Sequence, residues 1–157
     1  MKEWMKFIIV FLSFLAVAIV LVILFLGNKP FSEAEQAAVE KVEAEGLLDE
    51  VERAYVYSSS TQSVTVLGTD GEGQIKAAFV PEEGDMEALM LEDQVTAQQA
   101  REIVQEDMEV EEILHTKLGM EEAGAVWEIA FLNEAGRLNY VYLLAEDGTW
   151  WKRILNL

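Results

Sequence analysis

One histidine, no cysteine and 29 acidic side chains set the chemistry open to this 157-residue chain. The histidine, His115, stands between Leu114 and Thr116 with no partner at a recognisable spacing. It reads as a satisfied or solvated strand histidine, not as a general base or ligand. The lack of cysteine removes disulfides, thiolate nucleophiles and Cys-based metal sites together. No Gly-x-Ser-x-Gly elbow, His-Glu-x-x-His pair or phosphate loop is present. Asp70-Gly71-Glu72-Gly73 has the look of a calcium loop, but an EF-hand starting at Asp70 needs its bidentate Glu where Pro81 stands. A hairpin turn is the reading.

Carboxylates run together in Glu82-Glu83-Gly84-Asp85, Glu92-Asp93, Glu106-Asp107 with Glu109, and Glu111-Glu112. A retaining glycosidase would need two carboxyls ~5–5.5 Å apart in a cleft. Runs beside turns and helix ends read instead as solvated faces. No residue is assigned a catalytic, cofactor-binding or metal-binding role, and no enzyme activity or cofactor is expected. The aromatic residues carry the interaction chemistry. Trp150 and Trp151 are neighbours in a strand-like stretch and therefore point to opposite faces. One is expected in the core, against Trp127 or the helix face bearing Ala100. The other is expected at the surface as an interface anchor, or packed against the other half of the chain. Tyr140 and Tyr142 share one strand face and the same two readings.

The elements that position these residues come in a repeated order. Ser32-Glu33-Ala34-Glu35 is a capping box, followed by Ala34, Ala37, Ala38 and Val42 at helical spacing up to Gly46. Strands are expected at Val51 to Ser58, with Tyr55 and Tyr57 on one face, at Val64 to Leu67 and at Ile75 to Val80. Thr96-Ala97-Gln98-Gln99 opens a second helix with the stripe Ala97, Ala100, Ile103 and Val104. Strands then follow at Glu109 to Leu118, Val126 to Leu132, Leu138 to Leu144 and Thr149 to Leu155. An offset of 63 residues lays Gln36-Ala37 on Gln99-Ala100, Val64 and Val66 on Trp127 and Ile129, Asp70 on Asn133, Gly73 on Gly136 and Phe79 on Tyr142. Two copies of a helix-plus-antiparallel-strands unit are expected, sharing an interface because each core is small.

Ahead of these units, Phe7 to Leu26 run without a charge, and Ser13 is the single polar interruption. As a helix this segment is ~30 Å long, about the hydrocarbon thickness of a bilayer. Lys2, Lys6 and Ala16-Val17-Ala18 offer a signal-peptide reading. Yet Ile19 to Leu26 continue the apolar run past that small-residue triplet, so an uncleaved anchor is expected. Lysines near the two ends divide almost evenly, and the short tail favours an N-inside, C-outside orientation. Residues 27–157 carry nine basic and 28 acidic residues, a net of −19. Such a field repels nucleic-acid phosphates and anionic headgroups alike, so no nucleic-acid partner is expected. No small-molecule substrate is evident.

Thr96 to Ala100, Val126-Trp127-Glu128-Ile129-Ala130-Phe131, Asn133 to Gly136, and Tyr140-Val141-Tyr142 up to Asp147-Gly148 resemble a PepSY domain. Val66 to Asp70 with Gly73 and Val80-Pro81 resembles the degenerate preceding copy in YpmB-type proteins, also called TseB-like cell wall elongation regulators. The departures are Ala145-Glu146-Asp147-Gly148, where a PepSY repeat usually turns at a Thr-Gly-like pair, and the lack of a tryptophan in the first copy. The resemblance implies an α+β fold: a transmembrane helix, then two tandem PepSY-like (cystatin-like) repeats. The layout is a cytoplasmic tail at 1–6, an anchor at 7–26, a first repeat at 27–88, a linker at 89–95 and a second repeat at 96–157. It also implies a non-catalytic extracytoplasmic regulator at the cell membrane, with a penicillin-binding protein or related envelope protein as partner. The alternative it leaves open is a PepSY-type inhibitor or chaperone of a secreted peptidase. A wall hydrolase is the enzymatic rival.

Overall fold

The computed structural model describes residues 4, 8, 11–19, 32–59 and 62–157. The chain divides into two units, Met1–Ser32 and Glu33–Leu157. Within the first, residues 11–19 are helical. Part of the expected Phe7–Leu26 anchor, residues 7, 9–10 and 20–26, lies outside the described residues, as does most of the 1–6 tail. Among the described residues no helix is long and apolar enough to cross a membrane.

The second unit runs α1 (Glu33–Ala44), β1 (Glu50–Ser58), β2 (Gln62–Thr69), β3 (Ile75–Pro81), β4 (Glu87–Met90), α2 (Ala97–Asp107), β5 (Glu112–Glu121), β6 (Gly124–Leu132), β7 (Leu138–Leu144) and β8 (Trp150–Ile154). The strands form two four-stranded antiparallel sheets, β1-β2-β3-β4 and β5-β6-β7-β8. One helix precedes each sheet. This α+β succession fits tandem repeats, and the 63-residue offset is clearest in the turns. Asp70 Oδ1 accepts from the amides of Glu72 and Gln74, at 2.9 and 3.0 Å. Asn133 Oδ1 does the same for Ala135 and Arg137, at 3.1 and 3.0 Å. Gly73 and Gly136 close the two turns at φ 78° and 70°, where a β-carbon would be strained. Asp70 also pairs with Lys76, which with the turn amides holds its carboxyl below the usual range. That carboxylate is committed to a hairpin, as the sequence implied.

The second helix starts where its capping box stands. Thr96 Oγ1 accepts from the Gln99 amide at 3.2 Å, and Gln99 Oε1 accepts from the Thr96 amide at 2.9 Å. Two features go beyond the sequence reading. Glu87–Met90 is a strand pairing with β3, so Leu89 and Met90, expected in the linker, belong to the first sheet. The first strand of the second sheet begins at Glu112 rather than Glu109, because Met108 and Val110 pack into the core as the chain leaves α2.

Period-two alternation sorts the cross-strand rows into faces. In the first sheet, Ala54-Val66-Ala78 and Val56-Val64-Val80 share the face covered by α1, whose Ala38 and Val42 are buried. Tyr55-Thr65-Phe79-Glu87 and Tyr57-Ser63-Pro81 line the opposite face. In the second sheet, Leu118-Trp127-Leu143-Trp150 and Ile129-Val141 point toward α2 and pack with Ala100 and Val104.

The two sheets meet through the face of the first that α1 leaves open. Ala77 and Phe79 belong to the same core as Leu118, Trp127 and Leu143. β5 is an edge strand, and an edge presents unpaired peptide groups. Here the Leu118 peptide is covered by the first sheet. Its carbonyl accepts from the hydroxyls of Thr65 at 2.8 Å and Tyr55 at 3.2 Å, and its amide donates to Tyr55 Oη at 2.8 Å. Lys117 Nζ donates to the Val56 carbonyl at 3.0 Å. The shared interface expected from the small cores is therefore present, and it is hydrogen-bonded as well as apolar.

Candidate functional site

The face of the second sheet turned away from α2 holds the ionisable and aromatic side chains that the sequence left without partners. Its rows are His115-Ala130-Tyr140-Ile154, Lys117-Glu128-Tyr142-Lys152 and Gly119-Val126-Leu144. Glu128 lies at the centre of this face and is buried. Its Oε1 pairs with His115 Nε2 at 2.8 Å, diagonally across the strand pair. His115 is therefore a satisfied strand histidine, and its partner lies 13 residues on, across the β5–β6 turn. A buried carboxylate needs such partners, since an unpaired charge at low dielectric is costly.

Tyrosines frame the acid. Tyr142 is buried beside Glu128; burial first, and then the Glu128 charge, push its hydroxyl pKa upward. Tyr57 reaches in from β1 and donates to Glu121 Oε1 at 2.8 Å. Its ring lies on Gly119 so closely that a β-carbon there would collide with it. Burial, and then the Glu121 carboxylate, raise the Tyr57 pKa. Tyr55, half-buried against the Leu118 peptide, is raised by desolvation to about 12. These hydroxyls are hydrogen-bonding posts that stay protonated at neutral pH.

Trp150 and Trp151 do point to opposite faces. Trp150 packs on the helix-side core, donates from Nε1 to Asp107 Oδ2 at 3.1 Å and carries the Arg153 guanidinium 3.8 Å above its ring. Trp151 is the extra residue of a β-bulge between β7 and β8, where Tyr142 faces Lys152 and Leu143 faces Trp150. It meets Tyr142 edge-on at 5.9 Å. The sequence allowed one of these tryptophans to be exposed. Both are half-buried, because each sheet face offers an aromatic or apolar neighbour to lie on. Tyr140, Leu144 and Ile154 complete the face, all half-buried around Tyr57, Val126 and Tyr142.

Phe79 on the first sheet and Tyr142 on the second are equivalent under the 63-residue offset, and both point away from their helices. In the first sheet that face is covered by the second sheet. In the second, Tyr57 covers the β5 side, and the β7–β8 side ends in half-buried aromatic and aliphatic side chains with Lys152 over the rings of Tyr142 and Trp151. The arrangement forms an amphipathic surface, the kind on which Trp and Tyr act as interface anchors. The acidic runs singled out in the sequence are exposed, at Glu82, Glu83 and Asp85, at Glu92 and Asp93, and at Glu111 and Glu112. Among the described residues the buried acids are Glu121 and Glu128, which lie outside those runs.

Residues 37–81 match a family model described as a cell wall elongation regulator TseB-like domain. The match spans 45 of the 157 residues. Among solved structures, the YpmB protein from Bacillus subtilis is similar, with a TM-score of 0.72 at 21% identity, covering 79% of this chain and 98% of that chain. That likeness is one of fold. No curated protein matches the chain. The matched stretch, residues 37–81, spans α1 from Ala37 through β3, so it supplies most of the sheet that packs on the second sheet. The matched domain is a regulator domain, which supports a role in regulating cell wall elongation.

Proposed function

We propose that this protein is a non-catalytic, membrane-anchored, extracytoplasmic adaptor that regulates wall elongation by binding a penicillin-binding protein or related envelope protein. The TseB-like match at residues 37–81 carries the reading. The free face of the second sheet is the docking surface, with Tyr140 and Trp151 as anchors and Lys152 beside them. Its internal pairing favours a binding role, since Tyr57 donates to Glu121 and His115 pairs with Glu128 on this face. The apolar run of Phe7–Leu26 supports an anchor, with residues 30–157 outside the cytoplasm. Crosslinking in intact cells, followed by identification of captured proteins, tests the function. Wall synthases or their elongation partners are expected. Recovery of secreted peptidases with no wall synthase would overturn the adaptor in favour of a PepSY-type inhibitor or chaperone.

A further inference from the structure

Where the two sheets diverge, a cleft of about 340 Å³ opens between β2–β3 of the first and the end of β5 in the second. Asp85, Glu87, Glu121 and Glu122 line it, and among the described residues no lysine, arginine or histidine does. Phe79, Pro81 and Met120 supply its apolar wall. Ser63 lines it too. That residue is 6% exposed, and its Oγ finds no hydrogen-bond partner among the described residues. A buried hydroxyl left unpaired is costly, and this one lies in the wall of the cleft.

The dimensions and charge select the ligand. A bound water needs only about 10–15 Å³ of such space, and small organic ligands occupy pockets of roughly 300 Å³ and above. Anions are repelled by the carboxylates. Among the described residues no three acidic or histidine side chains converge closely enough to hold a metal ion. What fits is a cation on an apolar stem, the stem lying on Phe79 and Met120 and the head reaching the carboxylates. Glu121 is already oriented, since Tyr57 donates to its Oε1. Through Tyr57 and Glu121 the cleft adjoins the free face of the second sheet, so one partner can engage both.

We propose that this cleft receives a lysine or arginine side chain projecting from the partner protein. The inference rests on the adaptor reading, but its test does not need the partner. The full chain, in a non-ionic detergent at low salt, is titrated with Nα-acetyl-lysine N-methylamide while backbone amide resonances are followed. Saturable shifts confined to Ser63, Glu87 and Met120 to Glu122 are expected. The Nε-acetylated probe, which is neutral, should give none. Substituting Glu87→Gln together with Glu122→Gln should weaken binding on the order of tenfold, the size of one lost charge-assisted contact. Linear shifts spread over Glu92-Asp93 and Glu111-Glu112 would reduce the effect to general counterion attraction and overturn the site. Equal binding of the neutral probe would overturn it as well. So would saturation of the same amides by calcium chloride below the probe's own range. A positive titration beside a peptidase-only crosslinking result would keep the cleft and discard the adaptor. A wall synthase in the crosslinks beside a failed titration would do the reverse.

Discussion

Gly119 and Tyr57 define how closely the two halves of the second unit approach. The ring lies where a β-carbon at 119 would be, and both it and the strand beneath are buried. Gly119→Ala must therefore displace Tyr57 or bend β5, at a cost of roughly 1–3 kcal/mol typical of overpacking. A lowered denaturation midpoint with an unchanged m-value is the expected result. The tyrosines also set an alkaline limit. Tyr55, Tyr57 and Tyr142 all have folded-state values above the ordinary 10.0. A raised folded pKa contributes stability that is present below the unfolded value and lost as pH rises through the folded one. Stability should hold to about pH 10 and then fall. Tyr57→Phe leaves Glu121 without this donor, so it should cost roughly 1–3 kcal/mol at neutral pH and make the alkaline fall shallower. Denaturation curves at neutral pH and above pH 10 check both halves.

At the scale of elements, local chemistry was legible and register was not. Asp70 to Gly73, Asn133 to Gly136 and the Thr96 capping box are read from neighbouring residues, and each stands as expected. β4 was not, because Glu87-Ala88-Leu89-Met90 has no β-branched residue and becomes a strand by pairing with β3. The His115–Glu128 pair was invisible for the same reason. Its partners meet through the β5–β6 register, which includes a bulge between Ile113 and His115 that no residue type announces. The cleft around Ser63 likewise depends on how two sheets meet. The expected anchor makes its own prediction. A cysteine replacing Ser59, exposed after β1, should react with a membrane-impermeant maleimide in intact cells. Labelling only after lysis would contradict the orientation, and a shortened protein in the medium would restore the cleaved-signal reading.

For the whole molecule, charge is the dominant feature. A net of −19 over residues 27–157 destabilises a compact unit by self-repulsion, screened over a Debye length of ~10 Å at 0.1 M salt. Its melting temperature should rise with sodium chloride up to a few hundred millimolar, with modest and unsaturated help from divalent cations. A flat response would show that the acidic runs lie too far apart to repel. The same charge suits a surface that meets basic partners and shuns phosphate. The central claim is that a wall-elongation protein docks on the free face of the second sheet. The most direct measurement places a photo-crosslinking amino acid at Tyr140, half-buried on that face, and at Gln98, exposed on α2, in living cells. An adduct with a wall synthase or its elongation partner is expected from position 140 and none from position 98. Adducts to such proteins from position 98 alone, or to peptidases alone from position 140, would contradict the central claim.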